Sequence, residues 1–195
     1  MIKKAVFLTS AGSVNQIRTD CKNEIAIAGK SNVGKSSFIN FICNNAKLAK
    51  TSKDPGRTRL LNYFSINDGE YCLVDLPGYG FAKVNDAEKN KWANLIETYF
   101  KISPNLKNVF TLVDIRHDPT ENDMDMFKYL YYYNIPFTII ATKADKLSRS
   151  ACMKRKKEIA DYIGVGVDNV LICSAKEKKG ADAIFNRIDQ ILKMK

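Results

Sequence analysis

The chain has 195 residues, 45% of them apolar and 27% charged, with 31 lysines and arginines against 21 aspartates and glutamates for a formal net charge of +10. That much apolar residue excludes a disordered polar chain, and no stretch approaches the roughly 18 uninterrupted apolar residues of a membrane-spanning helix. The apolar start over residues 5–9 is too short for a secretion signal, so a soluble, cytoplasmic protein is expected.

Strand-length apolar runs alternate with longer segments of helical period, the rhythm of an α/β fold with a mostly parallel sheet. A strand over residues 24–28 leads through Gly29 into a helix over 35–43, whose Phe38, Ile39, Phe41 and Ile42 form an apolar face. Strands over 60–66 and 71–75 are joined by Asn67-Asp68-Gly69-Glu70, and Asp-Gly between two apolar runs signals a hairpin, so one of the pair runs antiparallel. Helices over 87–100, 122–133, 151–163 and 181–192 alternate with strands over 109–114, 137–142 and 170–173. The expectation is a six-stranded, mostly parallel sheet with one antiparallel strand, flanked by five helices, with residues 5–9 as a candidate further extended segment. Residues 1–195 read as a single domain with a short N-terminal extension over 1–22. Residues 45–59, polar, lysine-rich and broken by Pro55-Gly56, form a loop of the length usually kept for function.

Five cysteines, Cys21, Cys43, Cys72, Cys152 and Cys173, lie scattered without a CxxC pair. Their odd number precludes a complete intrachain disulfide set, and neither zinc nor a disulfide scaffold is expected. Cys43, Cys72 and Cys173 fall in apolar surroundings and read as core thiols of a reducing compartment.

Gly29-Lys30-Ser31-Asn32-Val33-Gly34-Lys35-Ser36 is a full GxxxxGKS match between a predicted strand and a predicted helix. Glycines at 29 and 34 let successive amides turn inward, the helix adds the positive end of its dipole, and polyphosphate is held by main chain. Lys35 would reach the outer phosphates and the Ser36 hydroxyl would bind Mg²⁺. Asp75-Leu76-Pro77-Gly78 follows one hairpin later, where Asp75 can hold a Mg²⁺-bound water and the Gly78 amide can meet a γ-phosphate. In the long loop, Thr58 has a hydroxyl suited to completing the magnesium shell. The base is read elsewhere. Asp145 in Thr142-Lys143-Ala144-Asp145 can accept hydrogen bonds from guanine N1–H and N2, donors that adenine lacks. The stem of Lys143 can cover the base, and in Ser174-Ala175-Lys176 the Ala175 amide can donate to guanine O6.

Together these segments resemble the motif set of the translation-factor class of P-loop GTPases, in order and over nearly the whole chain. More narrowly, Gly29 to Ser37, Pro55-Gly56-Arg57-Thr58-Arg59 with the following Leu60, Asp75-Leu76-Pro77-Gly78-Tyr79-Gly80-Phe81-Ala82 and Asp114-Ile115-Arg116-His117-Asp118-Pro119 resemble the bacterial EngB family. The resemblance implies a Mg²⁺-dependent protein with GTP or GDP as ligand, needed for assembly of the large ribosomal subunit and for normal cell division. It also implies nucleotide contacts at Lys30, Ser31, Asn32, Val33, Gly56, Arg57, Arg59 and Leu60. Its partner would be a large-subunit precursor, through rRNA or a ribosomal protein, with no membrane attachment and a monomeric state. Thr142 stands where many GTPases have asparagine and removes an amide that would tie the base loop to the phosphate loop, so weaker nucleotide binding is expected. Tyr79 stands where faster relatives carry a water-orienting glutamine, so intrinsic hydrolysis is expected to be slow, with acceleration by a partner or an ion. Asn32 matches the asparagine of potassium-stimulated members, which makes K⁺ a candidate cofactor.

Basic residues gather at Arg57 and Arg59, over residues 154–157, at Lys176, Lys178 and Lys179, and at both termini. They favour a polyanionic partner contacted through phosphates, although Lys154 and Glu158 also read as an ordinary helical pair. His117 reads as structural or partner-facing rather than catalytic, and Trp92 with Tyr131, Tyr132 and Tyr133 reads as core and rim. The rival readings are a P-loop kinase or ATPase, which conflicts with the guanine motifs, a GTPase of tRNA modification or membrane processes, and a nucleotide-gated RNA-binding module with negligible turnover.

Overall fold

The computed structural model describes residues 2–50, 60–80 and 86–194. Among these, seven strands form one sheet: β1 (Ala5–Ala11), β2 (Glu24–Gly29), β3 (Leu61–Ile66), β4 (Tyr71–Asp75), β5 (Leu106–Asp114), β6 (Phe137–Thr142) and β7 (Val170–Ile172), in the order β1-β3-β4-β2-β5-β6-β7. Five α-helices accompany them: α1 (Lys35–Ile42), α2 (Asp86–Ile102), α3 (Glu121–Tyr132), α4 (Arg149–Ile163) and α5 (Ala181–Lys193). The sheet thus has one strand more than the six expected. Residues 5–11 pair antiparallel with β3, and because Val6, Phe7 and Leu8 of this edge strand are all exposed, they lack the alternation that marks a half-buried strand. β3 is the one reversed strand, antiparallel to both β1 and β4, and the hairpin expected at Asn67-Asp68 is present with both residues at positive φ, 49° and 58°.

Alternation sorts the core onto two faces. Ile25 and Ile27 of β2 point toward α1 and α5, where they meet Phe38, Ile39, Ile184 and Ile188. Their neighbours Ala26 and Ala28 face α2, where small side chains leave room for the fully buried rings of Tyr63 and Tyr99. A third cluster seats α4 on β6 through Ile159, Ala160 and Ile139. Burying an aliphatic side chain of this size contributes roughly 1.5–3 kcal/mol, so these contacts fix the sheet and with it the rim on which β2, β4, β5 and β6 end.

Cys21 and Cys72 correct the expectation of separate thiols: they are joined as a disulfide, Cα atoms 6.1 Å apart. The parallel register Glu24↔Cys72 brings β4 beside the segment leading into β2, a proximity that sequence spacing does not reveal. Cys43, Cys152 and Cys173 are buried free thiols, and burial pushes Cys43 and Cys173 up to about 12.

Glu24 opens β2 with no exposed surface, accepting a hydrogen bond from the Tyr99 hydroxyl at 2.8 Å. Burial raises its carboxyl above the usual range, and the Tyr99 bond only partly offsets this. A carboxyl raised in the folded state binds its proton more tightly there than in the unfolded chain, so its stabilisation is present at low pH and is lost as pH rises through the folded value. Glu24→Gln is therefore expected to stabilise the protein at pH 7 by about 1–2 kcal/mol. The gap between variant and parent should close toward pH 4, read from denaturant midpoints across pH; a gap that widens in acid would refute the assignment.

Candidate functional site

The loop from Gly29 to Ser36 leaves the end of β2 and enters α1 at the carboxyl rim of the sheet. Gly34 is the helix N-cap at φ 110°, in the left-handed region that a side chain would strain, and Asn32 shares that hand at φ 64°. Lys35 and Ser36 begin the helix, and the Lys35 Nζ donates to the Gly29 carbonyl at 3.1 Å. Burial lowers the Lys35 ammonium below its ordinary range, opposed by the Asp75 charge.

Asp75 is the last residue of β4, and burial raises its carboxyl to about 6 against the opposing effects of Lys35 and Asn62. Its Oδ1 and the Ser31 hydroxyl are buried without a hydrogen-bond partner among the described residues. Unpaired buried acceptors are costly, and an orphaned carboxylate oxygen beside a phosphate loop suits a cation or its hydration water. The residues present therefore fit Mg²⁺. Leu76 is buried and its amide donates to the Ile27 carbonyl at 2.9 Å, carrying Pro77 and Gly78 back over the loop. There Gly78 is needed for close approach, since a Cβ would lie 2.7 Å from Lys35 Nζ and 2.9 Å from Ser31 Oγ. The Ser31 amide donates to the Tyr79 carbonyl at 3.0 Å, while the Tyr79 ring is buried and its hydroxyl donates to Asp123 Oδ1 at 2.8 Å. Burial, reinforced by the Asp123 charge, holds that phenol well above its usual range, so it remains a donor.

At the other end, β6 delivers Thr142 and the turn after it delivers Lys143, Ala144 and Asp145. The expectation of a missing tie at Thr142 does not hold. Its hydroxyl lies 2.9 Å from the Val33 carbonyl and 3.0 Å from that of Val113, so the one proton can serve the phosphate loop as an amide would. Lys143 adds a second tie, its Nζ 3.0 Å from the Asn32 carbonyl and 3.0 Å from Asp114 Oδ2. Arg116 braces that aspartate from the other side, with Nε at 2.9 Å and Nη2 at 2.7 Å. Burial opposes the Asp114 charge, yet the Arg116 and Lys143 hydrogen bonds hold its carboxyl well below the carboxylate range. This anchoring of the Lys143 stem by Asp114 and Arg116 went unread in the sequence, where only the strand-end position hinted at it.

Ser174 is buried after β7, and its hydroxyl donates to Asp145 Oδ1 at 2.9 Å. Burial would raise the Asp145 carboxyl, but the Ser174 bond and nearby lysines hold it below the usual range, charged and aimed. Thr142, Lys143, Asp145, Ala175 and Lys176 share a cavity of about 590 Å³ with Val33 and Gly34. Phe41 of α1 and Asn45 of the turn after it line the cavity as well, a contribution that the apolar period of the helix did not announce. The Asn40 amide shapes that wall, donating to the Ala46 and Ala49 carbonyls and accepting from the Ala49 amide at 2.7 Å. A volume of this order is typical of a small-molecule site.

The structure thus brings together residues 29–36, 75–78, 142–145 and 174–176 on one rim, and Leu60 directly precedes β3. Gly56, Arg57, Thr58 and Arg59 lie outside the described residues, as do Phe81, Ala82 and the Trp92 side chain. His117 is exposed in the turn after β5, its amide donating to the Asp114 carbonyl at 3.1 Å. Tyr131, Tyr132 and Tyr133 are all exposed at the end of α3, rim rather than core.

The family described as 50S ribosome-binding GTPase matches residues 24–143. The chain is 48% identical over 193 residues to a "Probable GTP-binding protein EngB" of Mycoplasma mycoides subsp. mycoides, covering 98% of each chain. It is 53% identical over 163 residues to the protein of the same name from Mycoplasma capricolum subsp. capricolum, covering 84% of this chain and 83% of the relative. Among solved structures it resembles "a probable GTP-binding protein engB", with a TM-score of 0.73 at 22% identity, covering 87% of this chain and 98% of that one. The fold is that of a P-loop GTPase, with the loop over residues 29–36 at one end of the rim and residues 142–145 at the other, and the chain belongs to the EngB family of GTP-binding proteins.

Proposed function

We propose that the protein is a GTP-operated switch with slow Mg²⁺-dependent hydrolysis, acting in assembly of the large ribosomal subunit and thereby supporting normal cell division. The observation that carries the guanine reading is the Asp145 carboxylate, kept ionised and oriented by Ser174 in a cavity whose opposite wall is the phosphate loop. Adenine would leave that charge unpaired, at a cost on the order of 1–3 kcal/mol. Ser36 and Thr58 would hold Mg²⁺ directly and Asp75 through a water; when bound, the ion neutralises charge on the outer phosphates. Tyr79 supports slow turnover, because a phenol hydroxyl lacks the paired donor and acceptor with which a glutamine amide orients an attacking water. Asn32, exposed at the mouth of the loop, is the candidate K⁺ ligand.

The description of the matched family as ribosome-binding and the net charge of +10 both support a ribosomal partner. The lysines at 176, 178 and 179 are exposed beside the base cavity, and Lys154, although paired with Glu158 at 3.7 Å, leaves its side chain in solvent. Among the described residues no helix is long and apolar enough to cross a membrane. Cosedimentation with ribosomal subunits tests the proposal: the protein should pellet with large-subunit particles under a GTP analogue, pellet less under GDP, and lose the interaction steeply with added salt. Equal pelleting under both nucleotides would remove the switch. A turnover assay on the same samples should show slow release of phosphate that rises when sodium is replaced by potassium; equal rates in the two salts would remove K⁺. A nucleotide-gated RNA-binding module is the second reading, favoured by the buried Tyr79 if no phosphate is released even on the ribosome.

A further inference from the structure

The segment that should sense the third phosphate is occupied with the protein's own groups. The Gly78 main chain rests on Lys35 and Ser31, so close that a methyl group there would have no room. Residues Lys30 and Tyr79 pair as a parallel bridge, and the Ser31 amide, one of the donors a phosphate loop offers to its ligand, is bonded to the Tyr79 carbonyl at 3.0 Å. The Lys35 ammonium is turned to the Gly29 carbonyl. This arrangement closes the outer end of the loop by backbone contacts.

What fastens it is the side chain of Tyr79. The ring packs among Leu76, Leu130 and the α2 side of the core, and the hydroxyl reaches Asp123 Oδ1 at 2.8 Å. Asp123 is itself buried and is no free rotor. Its Oδ2 accepts from the Thr120 amide at 2.8 Å and the Thr120 hydroxyl at 2.7 Å, the capping box that starts α3. The Gly78 segment is thereby bolted to a helix terminus rather than left to its own loop. Moving Gly78 to meet a γ-phosphate requires Tyr79 to shift with it, and this draws the hydroxyl off Asp123 and the carbonyl off Ser31.

We propose that the Tyr79–Asp123 hydrogen bond is a latch that sets the protein's discrimination between guanosine diphosphate and triphosphate, holding Gly78 over the position of the third phosphate. The proposal rests on the guanine-nucleotide reading above and adds to it a residue pair with a defined role. A diphosphate leaves the latch closed. A triphosphate must open it, and its affinity is reduced by the share of the population that stays closed. Tyr79 and Asp123 touch neither phosphate and act by positioning Gly78.

The test is titration calorimetry with Mg²⁺ and either GDP or a non-hydrolysable GTP analogue, on the full chain and two variants. Tyr79→Phe keeps the packed ring and removes the latch hydroxyl, leaving Asp123 Oδ1 unpaired when the segment is down. It is expected to tighten the triphosphate analogue about tenfold and leave GDP within about twofold, as the loss of one charge-accepted hydrogen bond predicts. Tyr99→Phe is the control: it deletes an equally buried hydroxyl, bonded to Glu24 at the opposite end of β2, and should leave the ratio of the two affinities at the parent value. A ratio that does not move in Tyr79→Phe overturns the latch, as does a parallel loss of both nucleotides, or an equal change of ratio in Tyr99→Phe. If the parent protein binds neither nucleotide, the guanine reading fails first and the latch falls with it.

Discussion

Replacing Asp145 by asparagine should weaken GTP and GDP by roughly 10²-fold and bring xanthine nucleotides to comparable or better affinity, measured by competition against a fluorescent guanine nucleotide. In the proposed reading the carboxylate accepts from two guanine donors, and the Ser174 hydroxyl helps hold it in the charged form. An asparagine at 145 offers one acceptor and one amide donor. Xanthine replaces the guanine amino group by a carbonyl, so the pairing is restored with reversed polarity. Stability should barely change, because the side chain lines the cavity and belongs to none of the hydrophobic clusters, and asparagine keeps an oxygen for the Ser174 hydroxyl. Unchanged GTP affinity in this variant would dismiss Asp145 as the reader of the base.

Lys35→Ala is expected to act at the other end of the ligand. Each charge-assisted hydrogen bond to a phosphate is worth about 1.5–3 kcal/mol, so losing the ammonium should weaken Mg-GTP about a hundredfold or more. The fold should persist. Lys35 is the first residue of α1, alanine suits that position, and among the described residues the one hydrogen bond given up by its side chain is to the Gly29 carbonyl. Thermal unfolding within about 5 °C of the parent, together with lost binding in calorimetry, would separate a phosphate contact from a structural role. A protein that binds Mg-GTP normally without Lys35 would contradict the phosphate assignment. The two variants also distinguish the ends: base selectivity should change only at 145, and phosphate affinity without change of base only at 35.

Much of this was legible in the chain because it is local. Apolar runs of strand length marked β2, β4 and β6, the apolar stripe of Phe38, Ile39 and Ile42 marked α1, and Asp68-Gly69 marked the turn that makes β3 the reversed strand. The four motifs lay at strand ends, and an α/β sheet carries strand ends to a common rim whatever their spacing in sequence. What could not be read depends on register and on the reach of side chains between distant segments. The Cys21–Cys72 pairing needs β2 beside β4 in one register, and β1 shows its apolar residues to solvent. The Thr142 hydroxyl does the work assigned to a missing amide only because Val33 comes within 2.9 Å of it. Similarly, Tyr79 and Asp123 are separated by 44 positions, and nothing in either neighbourhood names the other.

The ties of Thr142 and Lys143 to the carbonyls of Val33 and Asn32 have a mechanical meaning for how a nucleotide arrives. They splice the floor under the base to the cradle under the phosphates, so whatever steadies one half damps the other. A guanine ring that docks first would quiet the amides awaiting its own tail, and departure of the tail would slacken the grip on the ring. Capture and release then proceed as one concerted motion of the rim rather than as two independent handholds.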